Sequence, residues 1–287
     1  MSRVDIAIIG SGPAGISAAV NAKIRNKSFL LFGKSSLSRK VNISKEISNY
    51  IGFPHISGQE LNEKFSAHLS EAGIEITEEN ITGIYNMGKY FILLAGQKQF
   101  EAESVIIATG AETVKPIEGE RELLGRGVSY CATCDGNLYK GKTIAVFCDS
   151  ESHEHEVKFL SQLAEKVYYF PNFKSGLTAE NIELPESRIA KINGEARVSG
   201  IELKNGECLA VDGVFFLKQS VAADVLLRGL ATENGSITVD RSMQTNIKGC
   251  FACGDCTGAP YQIAKAVGEG NVALHSAISY LAKEKNL

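Results

Sequence analysis

The spacing of apolar and polar residues changes several times along the chain. Val4 to Ile9 is a short apolar run, Gly10-Ser-Gly-Pro-Ala-Gly15 reads as a turn, Ile16 to Arg25 suits a helix, and Ser28 to Phe32 is a second apolar run. Strand, turn, helix and strand in that order make a β-α-β unit, which predicts a parallel, doubly wound sheet. Ser104-Val-Ile-Ile-Ala-Thr-Gly110 and Gly249-Cys-Phe-Ala-Cys-Gly-Asp255 each read as a buried strand ending in a tight turn. An amphipathic helix is expected from about Gln262 to Leu281.

The chain has 287 residues, 44% hydrophobic and 22% charged, enough for two cores and incompatible with a disulfide mini-protein, a collagen-like repeat or a disordered chain. With 30 basic residues against 33 acidic ones, nothing in the overall charge favours nucleic acid or an anionic membrane surface. No apolar stretch reaches the roughly 20 residues that cross a bilayer, and the N-terminus runs directly into a strand, so a cytoplasmic protein is expected. Seven cysteines, with repeated C-x-x-C spacing, point to redox or metal chemistry before structural disulfides.

The first turn carries a dinucleotide fingerprint: Gly10 for the tight bend, Gly12 for close approach of a pyrophosphate, and Gly15 for helix-on-strand packing, with Pro13 and Ala14 between them. Leu30-Leu-Phe-Gly33-Lys34 places Gly33 where an acidic ribose reader would stand, which weighs against NAD at this site. Cys131-Ala-Thr-Cys134 fits a small disulfide ring, with half a zinc site as the alternative. Cys250, Cys253 and Cys256 have iron-sulfur ligand spacing but no fourth cysteine nearby, so they read as small buried residues or a secondary thiol pair. His153 and His155, two apart on an expected helix, face different ways and are expected to be solvated; no metal site is expected.

Together, the glycine turn, Ala108-Thr109-Gly110, Gly254-Asp255 and Cys131-Ala-Thr-Cys134-Asp135-Gly136 resemble the flavoprotein disulfide reductases of the low-molecular-weight thioredoxin reductase type, over nearly the whole chain. The resemblance implies an α/β fold of two Rossmann-like dinucleotide-binding domains, the second inserted in the first. Residues 1–113 and 248–287 would bind FAD, and 114–247 would carry the C-x-x-C pair, with crossings at Thr113–Pro116 and Thr245–Gly249 acting as hinges. It also implies that Asp255 holds the flavin ribityl chain, that Thr109 and Gly110 close the site, and that Gly33, Lys40, Asn49 and Gly254 contribute. Relatives carry Arg-Gln-Ala where this chain has Gln262-Ile263-Ala264, so only backbone N–H groups carry over at Gln262 and Ile263. Cys134 is the sulfur nearer the flavin by this analogy, and Cys131 attacks the partner's disulfide. Asp135 shuttles the proton or, alternatively, is an ordinary helix-start residue. A homodimer is implied as well.

One departure matters. NADPH-dependent relatives carry a second glycine-rich loop and an arginine cluster in the inserted domain. Here the glycine positions fall on Cys148, Asp149 and Ser150, followed by Glu151, Glu154 and Glu156, and Val167–Lys174 contains no arginine. Side chains would block a pyrophosphate and carboxylates would repel it. That combination resembles the ferredoxin-dependent flavin thioredoxin reductases, which implies reduced ferredoxin as donor and thioredoxin as acceptor. Asn21 to Lys45 holds seven basic residues and no Asp or Glu, so it is either a solvated face or a ferredoxin surface through Lys34, Arg39, Lys40 and Lys45. The alternatives are an oxygen-dependent dithiol oxidase, an NAD(P)H-dependent thioredoxin reductase with a degenerate cofactor site, and a non-enzymatic flavin-bound sensor.

Overall fold

The computed structural model describes residues 3–111, 116–218 and 223–285. β1 (Val4–Ile9) lies between two parallel neighbours, β2 (Phe29–Phe32) and β6 (Lys98–Ile107), which is why it is apolar on both faces. The two-residue period then sorts the core: Ile6, Ile8 and Ile106 join one cluster, and Ala7, Ile9, Val105 and Ile107 the other. α1 (Pro13–Ile24) begins three positions before the expected helix, because proline at the first helical position gives up an N–H that has no intrahelical partner. Short helix α2 (Arg39–Asn42) and α3 (Gly58–Glu71) follow; α3 is started by a reciprocal Ser57–Glu60 capping box.

β3 (Ile76–Thr77) extends the sheet beside β2, and the antiparallel pair β4 (Gly83–Asn86) and β5 (Phe91–Ala95) extends it beyond β6. The chain then builds its second unit. β7 (Val128–Ser129), α4 (Ala132–Asp135), β8 (Thr143–Cys148), α5 (Glu154–Leu163), β9 (Lys166–Pro171), β10 (Ile182–Glu183) and, after three intervening strands, β14 (Gly213–Leu217) give a parallel sheet ordered β10-β9-β8-β14-β7. The intervening strands β11 (Ile189–Asn193), β12 (Gly200–Leu203) and β13 (Cys208–Leu209) form a separate antiparallel sheet. The first unit is completed by α6 (Ala223–Leu226), the β15 (Thr232–Glu233) and β16 (Ser236–Ile237) hairpin, β17 (Cys250–Ala252) and α7 (Ile263–Lys285). α7 lies so close to α1 that a Cβ on Gly270 would fall 2.1 Å from the Ala14 carbonyl oxygen.

The compact units are Met1–Glu112 with Ala222–Leu287, and Thr113–Val221. The insertion therefore ends well before residue 247. The reason is burial: Leu226, Leu227, Leu230 and Ile237 share one cluster with Phe91, Leu93 and Phe100 of the first unit. Thr245–Gly249, expected as a crossing, is a tight turn inside that unit, where the Thr245 hydroxyl donates to the Cys250 carbonyl at 2.9 Å. Thr113, Val114 and Lys115 of the other expected crossing lie outside the described residues. Among the described residues no helix is long and apolar enough to cross a membrane.

Candidate functional site

The glycine turn between β1 and α1 shows why each glycine is there. Gly10 has φ +119°, and a Cβ on it would lie 2.2 Å from the Ala108 carbonyl oxygen. A Cβ on Gly15 would lie 1.8 Å from the Gly10 carbonyl oxygen. Gly12 is different: nothing lies within 4 Å of its Cβ position, and it starts α1 with no side-chain cap. The fold leaves open space in front of helix N–H groups, the arrangement that receives a phosphate. Gly33 has a steric explanation that the sequence does not reveal. Its Cβ would lie 2.3 Å from Ser11 Oγ, which donates to the Lys34 carbonyl and accepts the Lys34 N–H, both at 2.9 Å. Buried Ser11 takes the place an acidic side chain would need. Its only sequence signal is a hydroxyl inside the turn.

β6 and β17 run side by side with Ile107 opposite Ala252, so Thr109–Gly110 and Gly254–Asp255 leave neighbouring strand ends, on the carboxyl edge where α/β sheets bind ligands. Lys40 Nζ lies 3.6 Å from Asp255 Oδ2 and donates to the Ala111 carbonyl at 3.4 Å. Asn49 Nδ2 donates to Gln262 Oε1 at 2.7 Å, which brings those two expected residues together beside Ile263, the first residue of α7. Lys34, Arg39, Lys40 and Lys45 are all exposed. Of the three clustered cysteines, Cys250 and Cys256 are buried in one core cluster and Cys253 in the other. Burial pushes the thiols of Cys250 and Cys256 up to about 12, and that of Cys253 well above the ordinary range.

In the second unit Cys131 and Cys134 form a disulfide, with Cα atoms 5.3 Å apart. Cys131 caps α4 and is half-buried, whereas Cys134 is exposed. Ser129, absent from the expected site, organises this turn: its Oγ accepts the Cys131 N–H at 3.1 Å and donates to Asp135 Oδ2 at 2.7 Å. Just before Cys131, Tyr130 donates its hydroxyl to Glu120, whose carboxylate also receives Lys218 Nζ and the Ile117 N–H. Glu120 is fully buried and Lys218 is 4% exposed, so the pair is a desolvated ion pair.

The junction of β8 and α5 is closed by side chains. Cys148 is fully buried, and desolvation pushes its thiol up to about 11. Glu154, in the first turn of α5, accepts hydrogen bonds from the Tyr169 and Ser175 hydroxyls. His153 departs from expectation: it is buried rather than solvated, ends a 3-10 turn, and has Nδ1 3.5 Å from Asp149 Oδ1. His155 is exposed, as expected. Among the described residues no three His, Cys, Asp or Glu side chains are grouped to hold a metal ion.

Two parallel-sheet units, a glycine turn and a redox disulfide coincide with one family model, pyridine nucleotide-disulphide oxidoreductase, which matches residues 4–147 and 173–270. The chain belongs to this family. As a member of the pyridine nucleotide-disulphide oxidoreductases it is an oxidoreductase acting on disulfides. It is 49% identical to a ferredoxin-flavin thioredoxin reductase from Clostridium acetobutylicum, whose crystal structure aligns over 100% of both chains with a TM-score of 0.91. It is 35% identical to a thioredoxin reductase from Helicobacter pylori, covering 97% of this chain and 99% of that one. A thioredoxin reductase from Bacillus subtilis is 33% identical, covering 96% and 94%.

Proposed function

We propose that this chain carries electrons from a reduced ferredoxin, through FAD in the first unit and the Cys131–Cys134 disulfide of the second, to thioredoxin, without NADPH. The observation that carries this reading is the β8–α5 junction. A pyrophosphate needs backbone N–H groups it can reach, but here the strand ends in buried Cys148 and the helix begins with Glu154 and Glu156. The family match breaks off over residues 148–172, the same segment. The ferredoxin-flavin enzyme at 49% identity supports a protein donor.

The open space at Gly12 and the uncapped start of α1 fit the FAD pyrophosphate, held by Gly10 to Gly15. Asp255, 3.6 Å from Lys40 Nζ, would take the ribityl hydroxyls, and Gly33, Asn49, Thr109, Gly110, Gly254, Gln262 and Ile263 would complete the site. Bound FAD supplies a centre that accepts electrons singly and delivers them in pairs. Opening the Cys131–Cys134 disulfide takes two electrons and two protons and leaves two thiols. The Cys131 thiolate attacks the thioredoxin disulfide, forming a mixed disulfide and expelling one thioredoxin thiolate. Cys134 then attacks the Cys131 sulfur, restores the ring and releases dithiol thioredoxin. Asp135 carries the proton, its carboxylate held by Ser129. The exposed Lys34, Arg39, Lys40 and Lys45 offer an acidic ferredoxin a complementary surface. On the family resemblance the enzyme works as a cytoplasmic homodimer.

An anaerobic assay with thioredoxin tests the reading: reduced ferredoxin should drive turnover, and NADPH or NADH should not. Thioredoxin reduction by NADPH at a comparable rate would overturn it.

A further inference from the structure

Lys265 stands at the third position of α7, where a cation opposes the positive end of the helix dipole. That placement needs compensation, and the structure provides it from one loop. Lys265 Nζ donates to the Gly254 carbonyl at 3.0 Å, the Gly258 carbonyl at 2.7 Å and Thr257 Oγ1 at 3.0 Å, which uses all three ammonium hydrogens. Glu269, one helical turn later, lies 3.2 Å from the same nitrogen. Its Oε2 accepts the Gly254 N–H at 2.8 Å and lies 3.0 Å from Thr257 Oγ1. The side chains of both charged residues are less than one-fifth exposed, at 17% and 18%.

The clamped segment, a 3-10 turn over Gly254–Thr257, is bounded by two glycines with positive φ, +83° at Gly254 and +100° at Gly258, conformations that glycine adopts without a Cβ penalty. It also abuts the glycine turn, since a Cβ on Gly254 would lie 2.9 Å from Ala14 Cβ. Between the two pinned glycines stands Asp255. Charge-assisted hydrogen bonds in a partly buried network are strong, and they act here on backbone atoms next to Asp255, not on its carboxylate.

We infer that Lys265 and Glu269 are positioning residues for the flavin: together they hold the Gly254–Gly258 loop in the conformation that presents Asp255 to FAD. The inference rests on the FAD reading above and names two side chains that the glycine and Gly-Asp motifs do not include. Neither has to touch the cofactor.

The test is the rate of FAD release from the holoenzyme, followed by the rise in free-flavin fluorescence, for Lys265→Met, Lys265→Arg, Glu269→Gln and Asp255→Ala. Lys265→Met and Glu269→Gln should each release FAD about tenfold faster or more, as expected for lost charge-assisted bonds. Lys265→Arg keeps the charge but replaces the compact three-donor ammonium with a planar fork, so its release rate should fall between the parent and Lys265→Met. The Cys131–Cys134 thiol content after reduction and the far-ultraviolet circular dichroism should match the parent, a combination that general unfolding would not give. If Lys265→Met cannot be purified folded, Glu269→Gln decides alone. Parent-like FAD release in both, with fast release from Asp255→Ala, overturns the clamp and leaves the FAD reading standing. Parent-like release from Asp255→Ala as well would overturn that reading itself.

Discussion

Ser129 Oγ donates to Asp135 Oδ2 at 2.7 Å while accepting the Cys131 N–H at 3.1 Å, so one buried hydroxyl fixes both a carboxylate and the backbone of the redox pair. If Asp135 moves the proton, Asp135→Asn should lower thioredoxin turnover by about 100-fold, within the usual range for a positioned acid or base. Ser129→Ala should cost less, about tenfold, because the carboxyl remains but its aim is lost. Steady-state turnover at saturating donor measures both. A fully active Ser129→Ala would remove the hydroxyl from the mechanism.

The two cysteines differ in access, Cys131 half-buried and Cys134 exposed, so single substitutions discriminate their roles. Cys134→Ser should accumulate a mixed disulfide between Cys131 and thioredoxin, visible on non-reducing gels. Cys131→Ser should not. The opposite pattern would exchange the roles.

Gly12 and Gly15 belong to one motif but answer to different constraints. Gly12→Val meets open space and should leave the thermal midpoint of the flavin-free protein nearly unchanged while weakening FAD retention. Gly15→Ala places a Cβ 1.8 Å from the Gly10 carbonyl oxygen and should destabilise the fold itself, by about 1–3 kcal/mol or more. Chemical denaturation read beside flavin content separates the two effects.

Of the five free cysteines only Cys208 is exposed. Ellman's reagent should therefore titrate one thiol per native oxidised chain and five after unfolding, and Cys208→Ser should remove the native signal. The buried thiols also make stability fall at alkaline pH. The folded chain keeps protons that the unfolded chain loses near pH 8.5. Stability is thus complete below that pH and is lost as pH rises toward about 12, where Cys250 and Cys256 ionise in the fold. Urea midpoints between pH 7 and 10 should decline, and less steeply in Cys250→Ala.

Lys218→Met should be among the most damaging changes in the second unit, since it strands the fully buried Glu120 carboxylate without its cation. Removing one partner of a buried ion pair costs about 3–5 kcal/mol. Adding Glu120→Gln should recover part of the loss. Denaturation curves of the two variants provide the comparison.

The first β-α-β unit, the glycine turn, the redox pair and the glycine-free stretch from Cys148 to Ser150 were legible in the chain because each is local. A tight bend, a helix start or a four-residue ring is specified by neighbours in sequence. Gly33 was visible as a missing acid, but its cause was not, because Ser11 reaches it only when β1 and β2 pair. The same holds for Ser129, Glu120 and Lys218, whose partners lie on other elements or across a turn; Lys265 and Glu269 stand one helical turn apart in the sequence, but their bonds to the Gly254–Gly258 segment appear only in the fold. The end of the insertion was misplaced for a related reason. Residues 223–247 carry little regular pattern, and only burial of Leu226, Leu227, Leu230 and Ile237 against the first sheet assigns them to it. His153 was misplaced too, since a polar residue in an acidic run reads as solvated until the fold closes over it. Local sequence determined which backbone shapes and reactive groups this protein has; only tertiary packing decided which charges are buried and which side chain holds which loop, because desolvation and hydrogen-bond partners exist only once distant segments meet.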